Sequence, residues 1–65
     1  MQVDGLRIRL FRENAGMGVT QLAEASSISK AYLSLMENGK KTDPSPQVVA
    51  RIAQALGVAI VDLRE

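Results

Sequence analysis

Cationic side chains gather between residues 28 and 42, where three lysines accompany a single acidic residue, Glu37. Lys30 stands near the start of a segment with helical spacing, and Lys40 and Lys41 follow its end. Neighbouring lysines are often only solvated surface charges, but cations at both ends of one helix suit a partner with repeated phosphates. Because the whole chain has a net charge of only +1, the position of these lysines carries the prediction of a polyanionic partner.

Side chains that catalysis and metal binding commonly use are missing. The chain has no Cys and no His, which leaves no thiolate or imidazole ligand for zinc and none of the usual nucleophile and base pairs. Disulfides are also excluded. The sequence therefore predicts a binding protein and not an enzyme, with no metal, no cofactor and no small-molecule effector.

Length and composition limit the fold to one small domain. The chain has 65 residues, 46% of them hydrophobic, enough for one core and little else. Phe11 and Tyr32 are the only aromatic residues, so the core must be aliphatic, which suits packed helices. No apolar run approaches the roughly 18 residues of a membrane span. We expect one soluble, cytoplasmic, all-α domain over residues 1–65, with no membrane partner and no appended sensing module.

Hydrophobic residues recur at helical spacing along the chain, and glycines and prolines separate the segments. Ser29 and Ser45 suit N-cap positions, Pro46 suits a first helical position, and Gly39 and Gly57 suit helix ends. The pattern predicts five short helices, at about residues 3–15, 19–26, 29–38, 46–56 and within 58–65. The residues predicted to face the core are Ile8, Phe11, Ala15, Leu22, Ala23, Leu33, Met36, Val49, Ile52, Ala53 and Leu56.

Residues 19–38 have the form of a helix-turn-helix motif. Two short helices are separated by about three residues, with Ala23 where they would cross closely and Ile28 in the turn. In this motif the second helix lies in the DNA major groove, so residues 29–38 are the predicted recognition helix. Its outward face predicts contacts with base edges by Lys30, Ala31, Ser34 and Leu35. Leu35 has an alternative interpretation, because isolated exposed leucines are common on protein surfaces.

Phosphate contacts are expected where backbone N–H groups and cations lie beside the recognition helix. The start of the second helix, the start of the third and the loop beyond it supply such positions. The candidates are Thr20, Gln21, Ser29, Tyr32, Asn38, Lys40 and Lys41.

Taken together, these features resemble the phage repressor and Cro type of helix-turn-helix domain, the xenobiotic-response-element class of bacterial regulators. The resemblance implies a compact five-helix, lambda-repressor-like fold. It also implies a regulator of transcription that binds double-stranded DNA, most often as a homodimeric repressor on an inverted-repeat operator. It rests on Gly5, Ile8, Arg12, Leu22, Ala23, Glu24, the run ISKAYLSLMENGKK, Pro44-Ser45, the segment RIAQALGV and Leu63.

The resemblance also implies a structural role for Arg12 and Glu37. In this family the corresponding residues form an ion pair that joins the first helix to the end of the third.

Several positions depart from the family pattern. Gly18 and Val19 stand where the second helix usually opens with Ser or Thr and then a Gln that contacts DNA, and the loop to Pro44 is about one residue longer than usual. Ser27 stands where the turn usually has Gly. Ser27 must therefore adopt a left-handed conformation, or the turn must differ.

In this family the positions of Leu6, Leu10 and Val61 are usually polar. Together with Ile60, these apolar residues predict a homodimer interface, because exposed apolar patches mark contact surfaces. A plain alternative is that the first helix only covers the edge of the core. Two other functions remain open. One is an autoregulator of a restriction-modification or toxin-antitoxin operon, and the other is a protein-binding module that uses the apolar surface of the first and fifth helices.

Overall fold

A computed structural model describes all residues from Met1 to Glu65. The chain forms four α-helices followed by a 3-10 turn. The elements are α1 (Gly5–Asn14), α2 (Val19–Ala25), α3 (Lys30–Glu37), α4 (Pro46–Leu56) and the 3-10 turn η1 (Ile60–Leu63). The predicted all-α architecture is confirmed, with the last of the five predicted helices replaced by η1. None of these helices is long and apolar enough to cross a membrane.

Serine caps fix two helix starts where the sequence placed them. Oγ of Ser29 accepts a hydrogen bond from N–H of Tyr32 (3.0 Å), and Oγ of Ser45 accepts one from N–H of Val48 (3.2 Å). Each bond satisfies a backbone donor that the helix itself leaves free. The start of α3, the predicted recognition helix, is therefore set by local sequence.

The first helix is shorter than predicted at both ends. Asp4 is its N-cap and accepts from N–H of Leu6 (3.0 Å), whereas Val3 is extended and donates its N–H to the carbonyl of Thr42 (3.0 Å). At the other end Ala15 is the C-cap and is exposed. The predictions that Val3 begins the helix and that Ala15 faces the core are therefore wrong.

The core consists of eleven buried side chains, contributed by all four helices, η1 and the extended N-terminal residues. Phe11 and Leu56, which were predicted to face the core, are only half-buried and pack against its edge. Val3, Val48 and Leu63 belong to the core but were not predicted to face it. The full set is Val3, Ile8, Leu22, Ala23, Leu33, Met36, Val48, Val49, Ile52, Ala53 and Leu63.

A close approach at Gly5 places α1 against the end of α3. A β-carbon at this position would lie 2.0 Å from the carbonyl oxygen of Met36 and 3.0 Å from backbone atoms of Glu37. Real β-carbons do not come this close to backbone oxygen, so only glycine fits here without movement of one helix. Gly5 therefore sets the distance between α1 and the C-terminal turn of α3.

Candidate nucleic-acid interface

The turn between α2 and α3 gives the two helices their fixed relation. N–H of Ser27 donates to the carbonyl of Glu24 (3.2 Å), and N–H of Ile28 donates to the carbonyl of Ala23 (3.0 Å). Ser27 has a φ of 57°, the only positive φ at a non-glycine residue in the chain. The serine thus adopts the left-handed conformation that the family's glycine would favour, at a cost of about 1 kcal/mol.

Replacing Ser27 with glycine is expected to stabilise the domain. The substitution removes the left-handed strain but adds conformational entropy to the unfolded chain, so the net gain is roughly 0.5 kcal/mol. Chemical denaturation followed by circular dichroism measures this change. Ala15→Gly is the control, because Ala15 is exposed with a φ of −82° and gains no relief. A Ser27→Gly variant less stable than the parent would contradict the strain at this turn.

A second contact ties the turn to α4. Nε of Arg51 donates to the carbonyl oxygen of Ser26 at 3.0 Å. Ser26 itself is fully buried, and its Oγ has no hydrogen-bond partner. The contact from Arg51 holds the beginning of the turn on the body of the domain, so α3 is positioned from α4 as well as from α2.

The structure places the four predicted base-edge residues on one side of α3. Lys30, Ala31 and Leu35 are exposed and Ser34 is half-buried, while Leu33 and Met36 face the core from the opposite side. Leu35 keeps 48% of its surface exposed, so its side chain is available for an apolar contact. The outward face of α3 hence combines a cation, a hydroxyl and two apolar groups, which can distinguish base edges in a major groove.

Most of the predicted phosphate-contacting residues are exposed beside this face. The backbone N–H groups of Lys40 and Lys41 both donate to the carbonyl of Leu35, at 2.8 and 3.1 Å, which fixes the start of their loop and leaves both ammonium groups free. Ser29 accepts at its cap, so its hydroxyl hydrogen remains available to a phosphate oxygen. The exposed candidates are Thr20, Gln21, Ser29, Asn38, Lys40 and Lys41, and Tyr32 is half-buried.

An ion pair between Arg12 and Glu37 joins α1 to the end of α3. Nε of Arg12 lies 2.7 Å from Oε2 of Glu37 and Nη2 lies 3.0 Å from Oε1, while Nη1 donates to the carbonyl of Met17 (2.9 Å). Both residues are buried. The hydrogen bonds that Arg12 donates to the Glu37 carboxylate raise the pKa of Arg12 above its ordinary value. The pair is bidentate and buried, an arrangement that suits a structural role and not a contact with bases.

Comparison with protein families identifies this arrangement. A family model described as a helix-turn-helix domain matches residues 5–65. The chain belongs to the helix-turn-helix family. Within it the chain is of the Cro/C1, or xenobiotic-response-element, type, as its sequence predicted. The family consists of DNA-binding regulators and not enzymes. This confirms the prediction, made from the side-chain types in the sequence, that the chain is a binding protein and not an enzyme.

Two regulators of Bacillus subtilis are similar to this helix-turn-helix domain. The HTH-type transcriptional regulator SlrR is 41% identical over 59 residues, which cover 91% of this chain and 39% of SlrR. SinR is 34% identical over 56 residues, covering 86% of this chain and 50% of SinR. The chain thus spans no more than half the length of these curated relatives.

Solved structures of the family share the same fold. The structure of SinR, the master regulator for biofilm formation, in complex with DNA superposes with a TM-score of 0.85 and 33% identity, covering 88% of this chain and 90% of that one. The restriction-modification controller C.AhdI of Aeromonas hydrophila superposes with a TM-score of 0.84 and 26% identity, covering 89% of this chain and 86% of its own. The fold is therefore lambda-repressor-like.

Arg9 of the helix-turn-helix domain contacts the end of α3, a role that the sequence did not predict. Its Nη2 donates to Oδ1 of Asn38 (2.8 Å), and its Nε lies 3.5 Å from Oε1 of Glu37. One sequence signal points to it, because Arg9 and Arg12 are three residues apart and share a helix face. Arg9 therefore links α1 to the end of α3.

Apolar side chains are also exposed on α1 and η1 of the helix-turn-helix domain. Leu6 and Leu10 lie one turn apart on α1 with 57% and 55% of their surfaces exposed, and Val61 on η1 has 65% exposed. Ile60 is less exposed, at 37%. A groove lies between α1 and η1, and Leu10 is one of the residues that line it. It is lined by Arg7, Leu10, Phe11, Asn14 and Asp62.

Proposed function

We propose that this chain is the DNA-reading domain of a cytoplasmic transcriptional repressor that binds an inverted-repeat operator as a homodimer. The observation that carries the proposal is the outward face of α3, on which Lys30, Ala31 and Leu35 are exposed and Ser34 is half-buried, with Lys30 at one end and Lys40 and Lys41 beyond the other. A helix of this kind fits the major groove, and cations at its ends suit the phosphates that border the groove.

The roles within the interface follow from position. Side chains on the outward face of α3 contact base edges, and side chains at the helix starts and in the loop after α3 contact phosphates. The base-reading residues are Lys30, Ala31, Ser34 and Leu35. The phosphate-contacting residues are Thr20, Gln21, Ser29, Tyr32, Asn38, Lys40 and Lys41. Val19 supplies no polar group to the DNA, so the affinity of one domain for a half-site is modest.

The loop lysines give the first test of DNA binding. Each phosphate neutralised by a cation contributes about −0.9 to the slope of log affinity against log salt on duplex DNA. A Lys40→Ala, Lys41→Ala double variant is expected to make this slope less steep by about 1.8 and to weaken binding to all sequences alike. Titrations at several salt concentrations, followed by fluorescence anisotropy, measure the slope.

Arg64→Ala is the matched control for the lysine variant. Arg64 is an exposed cation at the C-cap of η1, outside both the outward face of α3 and the groove, so the salt slope is expected to stay unchanged. An unchanged slope in the lysine double variant would contradict the phosphate contacts. It would favour the alternative of a protein-binding module, whose affinity for its partner does not require counterion release from DNA.

The homodimer is proposed to form through the apolar surface of Leu6, Leu10, Ile60 and Val61. Exposed apolar groups on two adjacent elements gain from burial against a second copy. Arg7 and Asp62 line the same groove with opposite charges, so a two-fold related copy would meet complementary groups. Two recognition helices related in this way would contact half-sites one DNA turn apart.

Leu10→Glu combined with Val61→Glu is expected to produce a monomer. Both side chains are more than half exposed, so the substitutions place charge in the interface without disturbing the core, and circular dichroism should show an unchanged fold. Sedimentation at high micromolar concentration measures the difference, with a dimer expected for the parent chain. A monomeric parent under these conditions would rule out this interface.

A second candidate function shares the DNA mechanism. The likeness to C.AhdI over 89% of this chain favours a controller of a restriction-modification operon, and a toxin-antitoxin autoregulator would use the same contacts. These functions differ in the genes that lie beside the operator and not in the chemistry of α3. Mapping the bound site in its genome would distinguish them.

A further inference from the structure

The side chain of Asn38 forms hydrogen bonds at both ends of its amide. Its Oδ1 accepts from Nη2 of Arg9 (2.8 Å). Its Nδ2 donates to the carbonyl oxygen of Ser34 (2.9 Å) and to Oγ of Ser34 (3.3 Å). A continuous chain of hydrogen bonds therefore runs from α1, through the C-cap of α3, to a side chain on the outward face of α3.

The direction of this chain is fixed by the chemistry of its two ends. A guanidinium group only donates hydrogen bonds, and a backbone carbonyl only accepts them. The oxygen of the Asn38 amide must therefore face Arg9, and its nitrogen must face Ser34. The reverse orientation would place two donors together at Arg9 and two acceptors together at the carbonyl of Ser34.

This direction determines what the hydroxyl of Ser34 has to offer. A serine hydroxyl has one hydrogen to donate and two lone pairs to accept with. One lone pair of Oγ receives the Asn38 amide, and no group in the chain accepts the hydroxyl hydrogen. Ser34 lies on the same face as Lys30 and Ala31, so that hydrogen is available on the side where the proposed DNA contact lies.

We propose that Ser34 reads its base pair as a hydrogen-bond donor, and that Asn38, oriented by Arg9, is the positioning residue that sets this polarity. The acceptors that a donor finds in the major groove are guanine N7 and O6, adenine N7 and thymine O4. Cytosine presents an amino donor at the same edge. The second lone pair of Ser34 Oγ could accept it, but the hydroxyl hydrogen would then be left without an acceptor in the interface, so cytosine is disfavoured. This inference rests on the proposed function, because it requires α3 to lie in the major groove.

The test compares the base preferences of three proteins at one salt concentration. Duplexes are selected from a random pool with the parent chain, Ser34→Ala and Asn38→Ala, and relative affinities are then measured for all single-base changes in the parent site. Both variants are expected to lose preference at the same base pair, by roughly three- to tenfold, the effect of one neutral hydrogen bond. The double variant should lose no more than Ser34→Ala alone.

An analogue of the preferred base tests the polarity directly. Each analogue lacks one acceptor atom. A 7-deazapurine lacks N7, 2-aminopurine in place of guanine lacks O6, and 5-methyl-2-pyrimidinone in place of thymine lacks O4. Parent protein should lose about the same three- to tenfold on the appropriate analogue, and Ser34→Ala should lose nothing further. Ser34→Thr, which keeps the donor, should retain the preference. Loss of a purely structural contact at Asn38 would weaken all sequences equally and leave base preference unchanged.

Three results would overturn the inference while the proposed function stands. They are an enriched site at which Ser34→Ala keeps every preference, a preference for cytosine at the affected position, and full binding to each analogue that lacks an acceptor. Retained preference in Asn38→Ala, with loss in Ser34→Ala, would overturn the positioning role. Failure of the parent chain to enrich any site would instead contradict the proposed function, and with it this inference.

Discussion

Gly5→Ala is expected to destabilise the domain by about 3 kcal/mol or more, at the upper end of the range for overpacking. The added methyl group would lie 2.0 Å from the carbonyl oxygen of Met36, and a backbone atom cannot turn away as a flexible side chain can. Domains of this size rarely have more than about 3–5 kcal/mol of stability. A large fraction of the variant should therefore be unfolded at room temperature, as urea denaturation followed by circular dichroism would show.

Gly18→Ser is the matched control, because it also adds a side chain to a glycine near a helix start. A β-carbon at Gly18 meets no atom within 4 Å, and the residue is the N-cap of α2 without a side-chain cap. Serine is a preferred N-cap, so stability should be unchanged or slightly raised. A Gly5→Ala variant with the unfolding midpoint of the parent would contradict the close approach of α1 to the end of α3.

Glu37→Ala is expected to destabilise the domain by about 3 to 5 kcal/mol, because it leaves the guanidinium of Arg12 buried without its carboxylate. Met17 supplies one carbonyl acceptor to Arg12, which does not replace a negative charge. For a domain of this size the loss corresponds to a fall in melting temperature of about 12 °C or more. Thermal unfolding measured by circular dichroism checks the expectation.

Two further variants separate the ion pair from a general charge effect. Glu24→Ala removes an exposed acid from α2, so its melting temperature should stay close to that of the parent. Arg12→Met together with Glu37→Ala removes both charges, and should recover part of the loss because no unpaired charge stays buried. Unchanged stability in Glu37→Ala, alongside lost DNA binding, would contradict the structural role and place Glu37 in the DNA contact instead.

Gly5 and Glu37 belong to the same structural element, the junction between α1 and the end of α3. Gly5 sets the distance between the helices, Arg12 pairs with Glu37, and Arg9 holds the C-cap residue Asn38. A recognition helix must be held in place on the domain because its side chains read positions a few ångströms apart. This junction provides the support from one side, and the turn after α2 provides it from the other.

Features that depend on local sequence could be predicted. Ser29, Ser45 and Pro46 mark helix starts through bonds and dihedral angles that involve only the next few residues. The outward face of α3 also follows from helical periodicity alone. The left-handed conformation at Ser27 was one of two possibilities at the sequence level, and its φ of 57° shows which of them occurs.

Features that depend on contacts across the fold could not be predicted in the same way. The close approach at Gly5 and the bonds from Arg9 to Asn38 require knowledge of where α1 crosses α3. Ala15 fits the helical spacing of α1, yet the helix ends one residue earlier. The last helix became a 3-10 turn of four residues, where a carboxylate oxygen of Asp62 accepts from N–H of Ala59 at 2.9 Å.

Selection of bound duplexes from a random pool by the parent chain is the most direct test of the central claim, that the outward face of α3 reads DNA. We expect enrichment of an inverted repeat whose half-sites lie about 10 base pairs apart, centre to centre, each contacted by one recognition helix. Lys30→Ala should relax the preference at one position in each half-site. A pool that shows no enriched sequence after repeated rounds would contradict the claim.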